Sequence, residues 1–236
     1  SEGTYNVCLN LNNDCGTATN CQSLNLNNPE SINETWRQYL EGGYIRCLLE
    51  VEQYLYVGLY GGGLVKIDTL TGERVFYTNL NSDLPDNDIN ALLESSNGAI
   101  YVGTYGGGLA KFDGTSATGW TIYNMDNSEL PSKYVYSLLE NSSGAIYVGT
   151  NGGLAKFDGI SPTGWTIYDT LNSDLPNNDV RTLLASSSGE IYVGTNGGGL
   201  VKFDGVSATS WTIYNESTSD LPDNYVLSLL ESSSGA

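Results

Sequence analysis

The sequence predicts an all-β fold, a β-propeller of four-stranded blades, and three observations carry that prediction. Tyr-Val-Gly recurs at Tyr56, Tyr101, Tyr147 and Tyr192, at spacings of 45, 46 and 45 residues. Each unit holds four short runs rich in Val, Ile, Tyr and Leu, separated by Gly, Pro, Asn and Asp, which is the composition of strands and turns. No run has the length of a typical helix or a sustained 3.6-residue apolar period. Four strands in about 45 residues match a propeller blade, and a blade that cannot bury both faces alone must stack on others.

The second unit shows the elements in order. Residues 100–104 (Ile-Tyr-Val-Gly-Thr) form strand b and 109–113 (Leu-Ala-Lys-Phe-Asp) strand c. Residues 120–123 (Trp-Thr-Ile-Tyr) form strand d and 134–140 the last strand, a. The glycine runs at 61–63, 106–108 and 197–199 suit a tight b–c turn, and Gly152-Gly153 is one residue shorter. Leu84-Pro85, Leu130-Pro131, Leu175-Pro176 and Leu221-Pro222 read as rigid turns that plug leucine between blades. Trp120, Trp165 and Trp211 read as blade-to-blade packing, and Asp68, Asp113, Asp158 and Asp204 as turn caps.

Tyr-Val-Gly-Thr-x-Gly-Gly-(Gly)-Leu-x-Lys-Phe-Asp, preceded by Leu-Pro-x-x-x-Val-x-x-Leu-Leu-Glu, resembles the two-component-regulator propeller repeat over residues 50–236. The resemblance implies an extracytoplasmic propeller, in that family commonly the seven-bladed sensor region of hybrid histidine kinases. This chain has Tyr where the family usually has Trp before the Val-Gly, and too few repeats for seven blades.

Counting strands gives five a, four b, four c and five d, with Trp36 opening the first d and 226–231 forming the last a. The missing b and c are expected from the N-terminal segment, with Tyr5, Val7, Leu9, Leu11, Leu24 and Leu26 as strand donors. The expected organisation is an arm over residues 1–35 and repeats over 36–236, making five blades. The donor could instead pair with a neighbouring subunit and build filaments.

With no histidine, Ser-His-Asp and Cys-His arrangements are excluded and zinc lacks its usual ligand set. No enzyme chemistry is therefore expected, and no cofactor apart from calcium, for which Asp83, Asp86, Asp88, Asp174 and Asp179 are the candidates. Cys8, Cys15, Cys21 and Cys47 lie outside the repeats and are disulfide candidates, an even count that fits an oxidising compartment and leaves three connectivities open. Asn33, Asn141 and Asn215 open glycosylation sequons. The net charge of −18 disfavours nucleic acid and anionic lipid, and no apolar window is long enough for a membrane helix. The first residues are not a secretory signal, so an exported protein would have lost one already.

These readings point to a secreted or cell-surface structural and adhesive module that self-associates. Two further classes stay open: a multivalent lectin that binds glycans or surface proteins, and the ligand-sensing region of a two-component receptor, which the family resemblance implies.

Overall fold

The computed structural model describes residues 3–13, 16–26, 44–114, 116–159, 161 and 163–231. The chain divides into two compact units, residues 1–43 and 44–236. In the first unit, β1 (Gly3–Asn13) and β2 (Gly16–Leu26) form an antiparallel hairpin paired from Gly3↔Leu26 to Asn13↔Gly16. Directly opposed residues share a face and successive residues alternate, so all six expected strand donors lie on one side of this hairpin. The expected d strand at Trp36 lies outside the described residues.

The second unit contains four four-stranded antiparallel sheets, each running a-b-c-d in chain order. Blade one is β3 (Tyr44–Val51), β4 (Tyr54–Tyr60), β5 (Leu64–Asp68) and β6 (Arg74–Tyr77). Blade two is β7 (Ile89–Glu94), β8 (Ile100–Thr104), β9 (Leu109–Phe112) and β10 (Trp120–Tyr123). Blade three is β11 (Val135–Glu140), β12 (Ile146–Thr150), β13 (Gly153–Phe157) and β14 (Trp165–Tyr168). Blade four is β15 (Val180–Ala185), β16 (Ile191–Thr195), β17 (Leu200–Phe203) and β18 (Thr212–Tyr214). Successive a strands β3, β7, β11 and β15 adjoin one another, which puts the first strand of each blade innermost.

Between blades lie aromatic cores that repeat. Phe157 of blade three stacks on its own Trp165 at 4.2 Å, while Tyr123 of blade two meets Phe157 edge-on at 4.8 Å and Tyr101 lies 6.5 Å away. The same set recurs as Tyr56, Tyr77, Phe112 and Trp120, and as Tyr147, Tyr168, Phe203 and Trp211. Each such pair contributes about 0.5–1.5 kcal/mol beyond its buried area. Leu84, Leu130 and Leu175 are buried in these seams, as the Leu-Pro turns predict. The glycine of Tyr-Val-Gly has a steric role there: a Cβ on Gly103 would stand 2.6 Å from Val135 Cγ1 of the next blade. At Gly194 the intruder would be Val226 at 2.7 Å.

The expected fifth a strand shows why strand formation needs a partner as well as propensity. Residues 226–231 have no ladder partner among the described residues and are not a strand. Yet this segment docks on blade four as its counterparts dock on theirs. Gly199 N–H donates to Asn224 O at 2.8 Å, as Gly63 N–H donates to Asn87 O and Gly108 N–H to Lys133 O. Ser187 donates from N and Oγ to the Glu231 carboxylate, as Ser96 donates to Glu140.

Replacing Gly103 by alanine should overpack the blade two–three seam and lower stability by about 1–3 kcal/mol. Denaturant titration should show a lower midpoint at unchanged slope. A wild-type midpoint would show that the seam relaxes without cost and that this glycine is not a steric requirement.

Candidate functional site

The blades repeat almost everywhere, so a site for a single ligand should lie where they differ. Three structural positions vary among the blades, and all three lie at the end of the sheets where strand b leaves and strand a enters. The first is the a-strand bulge, where register shifts around Arg46, Asn90, Tyr136 and Arg181. A bulge leaves one residue unpaired in the ladder and re-aims its side chain. The second is the residue before the a strand proper, which is Tyr44, Asp88, Tyr134, Asp179 or, in the fifth copy, Tyr225. The third follows strand b: Tyr60, Tyr105, Asn151 and Asn196.

Because the a strands are innermost, the bulge residues of successive blades meet. Arg46 Nη1 donates to Asn90 Oδ1 at 2.5 Å, and Asn90 Nδ2 donates to Val135 O at 2.9 Å. The Arg181 guanidinium sits 4.0 Å above the Tyr136 ring, a cation–π contact. Asp179 Oδ2 accepts from Arg181 Nη2 and from Asn196 Nδ2, each at 2.7 Å. Tyr105 packs edge-on to Tyr134 at 4.9 Å and lies 6.5 Å from Tyr136, while Arg46 covers Tyr60 at 4.6 Å. Polar links thus run through all four blades. Burial pushes the Tyr136 phenol up despite the Arg181 charge, so it stays a neutral hydroxyl that can donate or accept. Arg181 Nε and Asp179 Oδ1 are buried and make no hydrogen bond to the described residues.

The sequence-derived candidates have other roles. Asp86 Oδ1 accepts from Asp88 N–H at 2.7 Å, and Asp88 Oδ1 accepts from Gly61 N–H at 2.5 Å. Asp174 Oδ2 accepts from Ser210 N–H at 2.6 Å, and Asp83 N–H donates to Ala117 O at 2.9 Å. Among the described residues no three acidic or cysteine side chains gather as a metal site, and the hydrogen bonds these aspartates make lie within turns and seams. The Asn141 and Asn215 side chains close their own turns, Asn141 Oδ1 accepting from Ser143 Oγ at 2.7 Å and Asn215 Oδ1 from Ser217 N–H at 2.9 Å. Asn33 and Cys15 lie outside the described residues. The recurring aspartates cap turns, Asp204 Oδ1 accepting from Val206 and Ser207 N–H at 2.8 and 2.9 Å. Those amides hold the Asp204 carboxyl below the usual range.

Among the described residues Cys47 is a free thiol. It occupies the blade one–two seam against Gly58, and burial pushes its thiol up to about 12. Hollows of about 390 and 300 Å³ beside Lys111 and Lys202 recur at one blade position, so they follow from the repeat and single out no ligand.

Segments 83–106, 129–152 and 174–197 match the family described as two component regulator propeller. The extracellular domain of BT4673 from B. thetaiotaomicron, assigned to a hybrid two component system, is similar with a TM-score of 0.67 and 18% identity, covering 97% of this chain and 29% of that one. The chain thus spans less than a third of that domain. Virginiamycin B lyase from Staphylococcus aureus is similar with a TM-score of 0.56 and 14% identity, over 72% of this chain and 55% of that one. An ancestral GH74 enzyme has a TM-score of 0.50 and 16% identity, over 74% of this chain and 24% of that one. A search of curated proteins found no match. These likenesses show the fold, in a sensor domain and in enzymes alike.

In the folded chain a thiol reagent should label Cys47 slowly, because the part-buried thiol is pushed up and little of it is thiolate. Labelling much faster in denaturant than in native protein is the expected result in a peptide map; equal rates would contradict the seam placement. The matched segments cover strands a and b of blades two, three and four, and there the chain is similar to the two component regulator propeller repeat.

Proposed function

We propose that this chain is an extracytoplasmic, non-enzymatic recognition module that binds a neutral, hydroxyl-rich ligand, a carbohydrate in chemical class, on the face bearing the bulge residues. The observation that carries the reading is the convergence of the repeat-breaking positions on one end of the blades. Exposed tyrosine rings offer flat surfaces for the C–H faces of a sugar, and Asn, Asp and Arg supply paired donors and acceptors for its hydroxyls. Arg181 is balanced by Asp179, which suits a neutral ligand better than an anion. The described side chains at this face are Tyr, Asn, Asp and Arg, a set that suits holding a molecule. The likeness to an extracellular domain of a two component system supports the location and a sensing role within a longer receptor.

The test is titration calorimetry against a panel of oligosaccharides identified first on a glycan array. Tyr136→Ala combined with Arg181→Ala should weaken binding by about tenfold or more, roughly 1.4 kcal/mol, with unchanged circular dichroism. Binding unaffected by that pair would relocate the site, and product released from any bound glycan would overturn the non-enzymatic reading.

A second reading, self-association, rests on the docked but unpaired segment at 226–231. Leu227 is 55% and Leu230 91% exposed, and an extended segment without a ladder partner is a template for strand addition. Completion of a fifth blade by β1 and β2, within the chain or from a second copy, would cover it. Light scattering on the intact chain across a hundredfold concentration range distinguishes these. A rising mass that disappears on deleting residues 1–30 supports exchange between copies; a constant monomer mass overturns assembly.

A further inference from the structure

We propose that Cys8 and Cys21 form a cross-strand disulfide within the β1–β2 hairpin, and that Cys15 and Cys47 remain thiols. The ladder places Cys8 directly opposite Cys21. Pairing runs without a register shift to Asn13↔Gly16, so two residues connect the strands. Residues flanking a two-residue turn form a hydrogen-bonded pair, because the carbonyl of the first accepts from the amide of the fourth. Pairs then alternate, and Cys8↔Cys21, five pairs further on, falls on a non-hydrogen-bonded pair. There opposed Cα atoms stand about 4.5 Å apart, inside the span a disulfide bridges without moving the backbone.

Composition of the two faces gives an independent reason. The face holding Cys8 and Cys21 carries otherwise only Asn, Thr and Ser, among them Asn6, Asn10, Thr19 and Ser23. The opposite face carries Tyr5, Val7, Leu9 and Leu11, across from Leu24, Gln22, Asn20 and Ala18 in turn. Unpaired cysteine behaves as a small hydrophobe, so two of them opposed on a wholly polar face have no packing role. A covalent one remains. An isolated two-stranded hairpin is marginal in water, and a link at mid-ladder fixes the register that its polar face leaves weakly specified.

Of the three ways to join four cysteines in two pairs, the one containing Cys8–Cys21 would join Cys15 to Cys47. Cys47 is part-buried, its Sγ packed at Gly58 in the blade one–two core, which disfavours that bond and leaves one disulfide and two thiols. Formation removes one hydrogen from each of the two thiols and passes two electrons to an external disulfide of the glutathione class, which leaves as two thiols.

The experiment incubates the intact chain in a buffer of reduced and oxidised glutathione, blocks remaining thiols under denaturing conditions, and cleaves before Asp14. The expected result is two blocked thiols, at Cys15 and Cys47, and the Cys8 and Cys21 peptides held together until reduction. Cys15→Ser should leave the linked pair unchanged, whereas Cys8→Ser should yield two separate peptides without reductant. Cys15 linked to either cysteine, separate glutathione adducts on Cys8 and Cys21, or all four thiols blocked would each overturn the proposal.

Discussion

Every seam in the four-blade unit depends on one close approach, a glycine on strand b against a β-branched residue on the next blade's strand a. Gly58 receives Ile89, Gly103 Val135, Gly149 Val180 and Gly194 Val226. Removing the Cβ at that position lets neighbouring sheets come near enough for the tyrosine, phenylalanine and tryptophan of adjacent blades to interdigitate. It also brings strand a under the b–c turn of the preceding blade, where its backbone carbonyls accept that turn's amides. Gly108 shows how tight this is: its φ of +87 admits few other residues. The aromatic cores, the turn hydrogen bonds and the innermost position of strand a are consequences of that spacing.

The same spacing sets a second, polar seam that motif reading did not reveal. Lys66 Nζ donates to Gly114 O at 2.6 Å and Lys156 Nζ to Gly205 O at 2.9 Å, each reaching into the following blade. Tyr147 Oη adds a bond of 2.8 Å to the same Gly205 carbonyl. The acceptor is the glycine after the capping aspartate, held at positive φ so that its carbonyl faces the seam. Blade one has Thr69 at that position, and no described blade precedes it. On blade four Lys202 turns to Glu190, which stands where blades two and three have Ala99 and Ala145. Blades one and four thus differ from blades two and three in the groups at these positions.

Period, strand types, the four complete blades and the packing roles of Trp and Leu-Pro were legible in the sequence because each is a local pattern repeated four times. The hairpin over Tyr5 to Leu26 was legible as alternation. Three things were not. Residues 226–231 read as strand by composition, but a strand is a pairing, and pairing depends on a neighbour. Cys47 was grouped with the other cysteines by count, although its position between Arg46 and Leu48 on a β strand already placed it opposite to both. The candidate site was hidden because the reading sought what recurs. Aligning the four units and asking which columns vary would have found Arg46, Asn90, Tyr136 and Arg181 without a structure.

That contrast bears on how a repeat protein acquires a ligand site. The positions that build the aromatic seams recur from blade to blade, since a defective seam exposes its core. Variation is tolerated where a side chain leaves the ladder, and the a-strand bulge is such a place in each blade. Because strand a is innermost, four bulges bring four independently variable residues together. The chain's positive charge is distributed accordingly: Lys66, Lys111 and Lys156 serve the seams, whereas Arg46, Lys133 and Arg181 lie at the variable end. In a protein of net charge −18, Arg181 at this end is paired with Asp179, while Arg46 and Lys133 lie over the Tyr60 and Tyr134 rings. On the proposed function, ring faces and hydroxyl geometry would select the ligand at this end.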